Sequence, residues 1–399
     1  MRLRNSVLLL AAAAVLLSAC GPTRNQPPRG SERAKFRVAP PKTAADATRY
    51  ATLCEDFGPK KGLGANLIGM IHCQSLANSK LGTADQRYIA NLRVCQISKI
   101  DAKTDVREGL SHCWEALELR PDSGEAYRAR GMALARSKHY EQSLPDITKA
   151  IGLGEGDDPT IYSARSFIRG AMKDYSGGIG DAITARRKYA DKGETPPVAV
   201  FALQSHMHMN AKQFSDAKAV IAAGREIEAE NPDLYRMEAL VELEEGNLAG
   251  GLKAINQAIK LKPTTAASYA IRGSIYGRQG NLEGMARDYR VAVRYDRNWS
   301  DLSEVVKKLE AIFALSKEAL RTLGHDPGSK GPELTAGARN AMLAFQKSRN
   351  LAQDGKFNDP TVTTLMRAAD GNSDPAPQQD PLDIIKRLMQ DPKTGGGKV

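Results

Sequence analysis

The strongest constraint on this chain is an internal repeat with a period near thirty-four residues. Tyr127, Tyr162, Phe201, Tyr235 and Tyr269 each open a similar stretch, at successive steps of 35, 39, 34 and 34 residues. Four places after each aromatic stands a small residue: Gly131, Ser166, Ser205, Ala239 and Gly273. Twelve places further on stands another, at Ser143, Gly178, Ala217 and Gly251, with Met285 a departure. The apolar positions around them follow helical spacing, so each repeat reads as two helices joined by a short turn. Small side chains at both sites let the paired helices approach closely, while Ile147, Ile221 and Ile255 fill the space between layers. Asn247 and Asn281, each preceded by glycine, fall in the turns. One such unit cannot bury its apolar face alone, so the units must stack.

The composition agrees. Aromatics make up only 6% of 399 residues, with alanine and glycine plentiful. That mix suits close-packed helices and not a β-sandwich, which draws on β-branched and aromatic residues. The repeat resembles the tetratricopeptide repeat, in its small residue after the first aromatic and in its later small-x3-bulky spacing. The match is firmest for the pairs from Tyr235 and Tyr269. It is looser for Tyr162 and Phe201, where Gly193 to Pro197 adds loop. The expected fold is all-α: a solenoid of TPR-like helical hairpins over 124–298, followed by a small three-helix domain. Residues 45–123 read as degenerate hairpins of the same kind, with helical periodicity over Asp85 to Lys99 and Asp105 to Leu119. The resemblance implies a protein client on a concave face. The candidates for contacting it are Arg128, Arg165, Arg169, Arg236, Arg272 and Arg278, with His208 beside them. His206 and His208 stand two apart on a helix and point to nearly opposite sides, which makes a poor chelate. Neither a metal nor a cofactor is expected.

The first nineteen residues place basic Arg2 and Arg4 before an apolar run from Val7 to Leu17. Eleven residues are too few to span a bilayer but fit the core of a signal peptide. The run ends in Leu17-Ser18-Ala19-Cys20-Gly21, which resembles the lipobox of bacterial lipoproteins. That resemblance implies lipidation of Cys20, a periplasmic location and a membrane anchor. Gly21 in place of aspartate favours the outer membrane. Removal of residues 1–19 would leave 55 basic against 46 acidic residues, a net charge near +9. A basic surface suits polyanions, but export argues against nucleic acid. Residues 20–44, lipidated end included, are rich in proline and basic groups and read as a solvated linker.

With Cys20 set aside, Cys54, Cys73, Cys95 and Cys113 remain within sixty residues. In an oxidising compartment the even cluster implies two disulfides, with three pairings open. Cys54–Cys73 and Cys95–Cys113 are preferred, each joining the two helices of one hairpin.

Residues 299–369 read as a capping segment, one or two helices from Trp299 to Leu323 of which part caps the solenoid, and a small terminal unit. Ala344-Phe345-Gln346, then Asp354-Gly355, then Thr361 beside Pro360 resemble the helical peptidoglycan-binding domain of wall-active proteins. The resemblance implies a peptidoglycan site at Phe345, Gln346, Asp354, Gly355 and Thr361. The chain departs from the pattern at Gly328 to Pro332, which replaces the first Asp-Gly turn. It departs again at Asn358, a residue that tolerates the left-handed conformation, where glycine is usual. Residues 370–399 read as a linker and a short amphipathic helix carrying Leu382, Ile385, Leu388 and Met389.

No nucleophile motif, HExxH site or paired carboxylates in a separate catalytic fold are left over, so an enzyme is not expected. The leading expectation is a membrane-anchored periplasmic adaptor that holds a protein client and peptidoglycan. The alternatives are a pilotin-like assembly factor for a secretion or pilus complex, with a vestigial wall domain, and less favoured, a cell-wall hydrolase.

Overall fold

The computed structural model describes residues 39–55, 63–98, 105–297 and 299–371. Cys20, the signal segment, most of the first linker and the segment carrying Leu382 to Met389 lie outside them. The described residues form helices and turns with no strand among them, and no helix there is long and apolar enough to cross a membrane. They fall into two compact units divided between Ala223 and Gly224.

The first unit opens with α1 (Ala44–Glu55), α2 (Leu63–Ala77), α3 (Ala84–Ile97), the single turn α4 (Val106–Gly109) and α5 (Ser111–Leu119). Hairpins follow: α6 (Gly124–Arg136) with α7 (Tyr140–Gly152), and α8 (Pro159–Ala171) with α9 (Tyr175–Asp191). Next come α10 (Val198–Asn210) and α11 (Phe214–Ile227), the helix within which the units divide. Cys54 bonds Cys73 between α1 and α2, and Cys95 bonds Cys113 between α3 and α5, each with Cα atoms 4.8 Å apart. Both bridges are buried. Cys95 and Cys113 share one apolar cluster with Leu92, Leu110, Ala129 and Leu134, so that core runs on from the cysteine hairpin into α6.

The second unit holds the hairpins α12 (Pro232–Glu245) with α13 (Leu248–Leu261) and α14 (Ala266–Arg278) with α15 (Leu282–Tyr295). Three terminal helices complete it: α16 (Ser300–Thr322), α17 (Ala336–Ser348) and α18 (Asp359–Ala369). The stretch from Trp299 to Leu323 is thus one helix. Residues 299–369 belong to the same compact unit as the last two hairpins.

Short polar residues set the helix starts. Ser123, Asp158, Asn231 and Thr335 cap α6, α8, α12 and α17, each accepting a backbone N–H of the first turn. Such a cap contributes about 1 kcal/mol. Asn247 and Asn281 cap α13 and α15 in the same way, accepting from Gly250 and Gly284. The small-residue sites do what the repeat requires. A Cβ built on Gly273 would lie 2.5 Å from the Tyr289 ring, and one on Gly131 would lie 2.8 Å from Ile147. Where the small residue is serine, it bonds across the hairpin. Ser143 donates to the Gly131 carbonyl, Ser166 to Gly178 and Ser205 to Ala217, at 2.7, 2.7 and 3.0 Å.

Candidate functional site

The arginines of the first helices are placed by the repeat and held by acids of the same unit. Arg165 of α8 donates through two nitrogens to Asp181 of α9 at 2.7 and 2.9 Å, and Arg169 donates to the same carboxylate at 2.9 Å. Arg272 of α14 grips Asp288 of α15 at 2.5 and 3.1 Å and reaches Asn256 at 2.8 Å. Burial works against the Arg272 charge, but Asp288 outweighs it and holds the guanidinium above its ordinary pKa. Arg128 bridges Glu155 and Asp158 at 3.1 and 2.6 Å. Its pKa is likewise raised, burial opposing and the two acids prevailing. Arg278 pairs with Glu244 at 3.7 Å. Arg236 is 4% exposed and pairs with Asp233; burial leaves its pKa below the ordinary arginine value. All six arginines therefore answer internal carboxylates, and Arg236 offers almost no surface. His208 lies against Gln213 at 2.8 Å.

The same spacing recurs in a pair outside that set. Arg130 of α6 grips Asp146 of α7, 2.7 and 2.8 Å away. Arg130–Asp146, Arg165–Asp181 and Arg272–Asp288 are each sixteen residues apart. The sequence carried this signal three times over, and a search for repeated opposite charges would have found it.

His206 is a different kind of group. Its Nε2 meets the Asn210 side-chain amide at 3.0 Å, while its Nδ1 is shut away from solvent without a hydrogen bond. Desolvation lowers its pKa to about 4, so the ring is neutral at pH 7. Among the described residues no group of three or more His, Cys, Asp or Glu side chains is arranged to hold a metal.

In the terminal helices the structure brings together three of the five residues singled out for peptidoglycan: Gln346, Asp354 and Gly355. Gln346 is fully buried and ties the Asp354-Gly355 turn to α17. Its Oε1 accepts from the Asp354 and Gly355 amides at 3.1 and 2.8 Å, and its Nε2 donates to Asp354 Oδ1 at 2.8 Å. Burial acts to raise the Asp354 pKa, but the Lys356 amide and Gln346 outweigh it and hold it down. Phe345 is 1% exposed. Thr361 is also buried, in the first turn of α18, where its amide donates to the Asn358 side chain. Asn358 itself has φ −86° and caps α18. The residue serves as a helix cap and does not use the left-handed conformation that asparagine tolerates. Left-handed φ falls instead on Gly355, at 65°.

Sequence reasoning missed the groups that fasten this terminal unit to the last hairpin. Glu283, in the first turn of α15, accepts both Arg339 terminal nitrogens at 3.0 and 2.7 Å and the Phe357 amide at 2.9 Å. The Asp359 amide donates to the carbonyl of Gly280 at 2.9 Å. Partners 56 and 74 residues apart leave no periodic trace. Beside this junction lies a cleft of about 520 Å³, walled by α15, α16 and the 332–334 segment.

The hairpin array places the chain among known folds. A tetratricopeptide repeat protein from Parabacteroides merdae ATCC 43184 is similar over 65% of this chain and 97% of its own, with a TM-score of 0.54 and 14% identity. Similarity is weaker to pilF of Pseudomonas aeruginosa (TM-score 0.40, 12% identity, 56% of this chain and 97% of that one). It is also weaker to PilW, a type IV pilus biogenesis factor (0.42, 15%, 51% and 90%). Neither of these two carries weight. No family model matches the sequence, and no curated protein matches it. At such identity the first likeness speaks to architecture, and it gives the array the fold of a tetratricopeptide repeat protein.

Proposed function

We propose that this chain is a non-catalytic scaffold of the bacterial envelope, anchored to a membrane through a lipid on Cys20. Its hairpin array holds a protein client, and its terminal helices face peptidoglycan. The observation that carries this reading is the recurrence of two-helix repeats in both compact units, the last of them fastened to three terminal helices. Stacked hairpins expose a long, rigid surface for a partner. The lipobox resemblance supplies the location, which in turn sets peptidoglycan within reach. The described cysteines pair within hairpins, as an oxidising compartment allows.

The internal pairing of the arginines changes where a client would be read. Breaking such a pair to bind a ligand leaves a carboxylate uncompensated. Client contacts therefore fall on the less committed side chains of the surface. The buried Phe345, Gln346 and Thr361 fix the shape of the terminal unit, and any wall contact is made by residues around them.

The test is co-sedimentation of residues 22–399 with isolated peptidoglycan sacculi at about 0.1 M and 0.5 M salt, a range over which surface charge is progressively screened. Pelleting that survives the higher salt supports wall binding. Release in salt reduces the contact to the basic surface, and failure to pellet at either concentration removes peptidoglycan from the reading.

A further inference from the structure

We propose that the cleft between α15, α16 and the 332–334 segment is a binding site for an acidic peptide segment, with Arg287 as its carboxylate-recognising residue. The proposal deepens the scaffold reading above by naming the chemistry of the client. Phe313, Pro332 and Leu334 give the cleft an apolar lining. Its walls are braced: Lys317, itself fully buried, donates to the Glu333 carbonyl at 3.0 Å, and Arg321 donates to the Gly328 and Ser329 carbonyls at 2.7 and 3.1 Å. Concavity of about 520 Å³ with an apolar lining and a few fixed polar groups is the ordinary form of a ligand site.

The charges on the rim decide the ligand. Three guanidinium groups line the cleft beside the carboxylates of Glu283, Glu310 and Glu333, and two of the guanidinium groups are spent on Glu283 and Glu310. Arg339 is held by Glu283 through two bonds, and Arg290 is held by Glu310 at 2.9 Å. Arg287 has only a contact of 3.4 Å to Asp288, whose carboxylate is already gripped by Arg272 at 2.5 and 3.1 Å. Its side chain is 61% exposed, with the guanidinium 5.6 Å from the centre of the Tyr276 ring. A guanidinium held over a ring, weakly partnered and beside an apolar wall, is pre-organised for a carboxylate whose neighbouring side chain is apolar. A volume of this size admits a few peptide residues. The net positive charge of the chain favours an acidic partner at longer range.

The test is fluorescence anisotropy on the intact soluble chain with two labelled probes. One is the heptapeptide Gly-Leu-Glu-Asp-Leu-Ser-Gly; the other carries Gln-Asn in place of Glu-Asp. The acidic probe should bind at least tenfold more tightly than its neutral counterpart. Arg287→Glu should cost at least tenfold for the acidic probe, with an unchanged melting temperature. Arg294→Glu, an exposed charge change of the same size two turns along α15, should stay within twofold. Equal binding of the two probes overturns the proposal, as does equal loss in the two variants. A protein that binds neither probe but still pellets with sacculi overturns the cleft and leaves wall binding standing. One that binds the acidic probe through Arg287 but fails to pellet upholds the cleft while the wall-binding reading falls.

Discussion

The hairpins opened by Tyr127, Tyr162 and Tyr269 differ from those opened by Phe201 and Tyr235 in what holds the third residue after the aromatic. In the first group that residue is arginine, and it grips an aspartate sixteen places on, in the second helix of its own hairpin. In the second group the arginine becomes Gln204 or Glu238, and the aspartate becomes Val220 or Ala254. The cation then comes from the preceding helix. Arg186 donates to Gln204 at 2.9 Å, and Arg225 pairs with Glu238. Both arrangements keep a guanidinium near the opening aromatic. Its distance to the ring centre is 5.4 to 5.5 Å in the clasped hairpins and 4.2 Å in the other two. The lesson is that the two positions change together. A carboxylate as buried as Asp181 or Asp288 survives only beside a guanidinium, so losing the arginine requires losing the acid. Clasped hairpins are tied within themselves, whereas the other two are tied to the helix before them.

The largest test of this difference is Asp181→Ala. Asp181 is 3% exposed and satisfies both Arg165 and Arg169. Its removal leaves Arg165 without an acid and Arg169 with only Asp174, 3.5 Å away, and should cost about 3–5 kcal/mol of stability. Val220→Ala, at the same register in an unclasped hairpin, removes only apolar area and should cost about 1–2 kcal/mol. Denaturant midpoints of the two variants measure the gap. Equal costs would mean that the clasp contributes nothing beyond packing. Replacing Arg165 and Asp181 together by Met and Leu should recover the part of the loss that lies in the orphaned Arg165 charge, while Arg169 keeps only Asp174.

The hairpin architecture was legible because it is periodic. The aromatic, the two small residues and the capping asparagines recur at fixed spacing, and Gly131 and Gly273 stand where a Cβ would collide with the facing helix. The spacing of the four clustered cysteines was legible for a similar reason, since 19 and 18 residues suffice for one helix and a return. The commitments of the arginines were not read. A lone Arg272 on a helix face looks like a free surface cation until Asp288 is seen opposite it. The terminal unit was harder still. Phe345 and Gln346 stood out as motif residues, but that Gln346 holds the turn at Asp354 shows only in the structure. The cleft depends on Arg339 of α17 meeting Glu283 of α15 across 56 residues, and no local pattern encodes that.

A smaller effect separates the hairpins by pH. The position five residues after the aromatic is Met132, Phe167, Leu240 and Ser274 in four hairpins and His206 in the Phe201 hairpin. Burial holds His206 at a pKa of about 4, below the ordinary 6.5. The unfolded chain therefore takes up a proton before the folded one does. The stability in question is complete above pH 6.5 and drains away as pH falls toward 4, by a total of about 3 kcal/mol. His206→Met, which borrows the residue of the Tyr127 hairpin, should flatten that fall. Thermal midpoints at pH 7 and pH 4.5 decide it: a wild type that loses no more than the variant would show the ring to be solvated. The Phe201 hairpin would then be no more acid-sensitive than the other four.

The smallest effect divides the hairpins along another line. The turn between the two helices places one residue in the left-handed region. That residue is Lys138, Lys173 or Lys212 in the first three hairpins, at φ 63 to 67°, and Gly246 or Gly280 in the last two, at 97 and 71°. A side chain there costs about 1–2 kcal/mol, partly offset by the extra freedom that glycine brings to the unfolded chain. Lys173→Gly should therefore stabilise by about 0.5–1 kcal/mol. Gly246→Ala should cost a similar amount through conformation alone, since a Cβ there meets nothing within 4 Å. Gly280→Ala should cost more, because its Cβ would lie 3.4 Å from that of Asp359, where the terminal unit docks. Turn type and clasp type are independent in this chain: Lys173 sits in a clasped hairpin and Lys212 in an unclasped one. Equal gains from Lys173→Gly and Lys212→Gly in chemical unfolding would confirm that turn strain is local. A larger gain at Lys212 would mean that the clasp already suppresses that strain, and the two ways of holding a hairpin would no longer be separable.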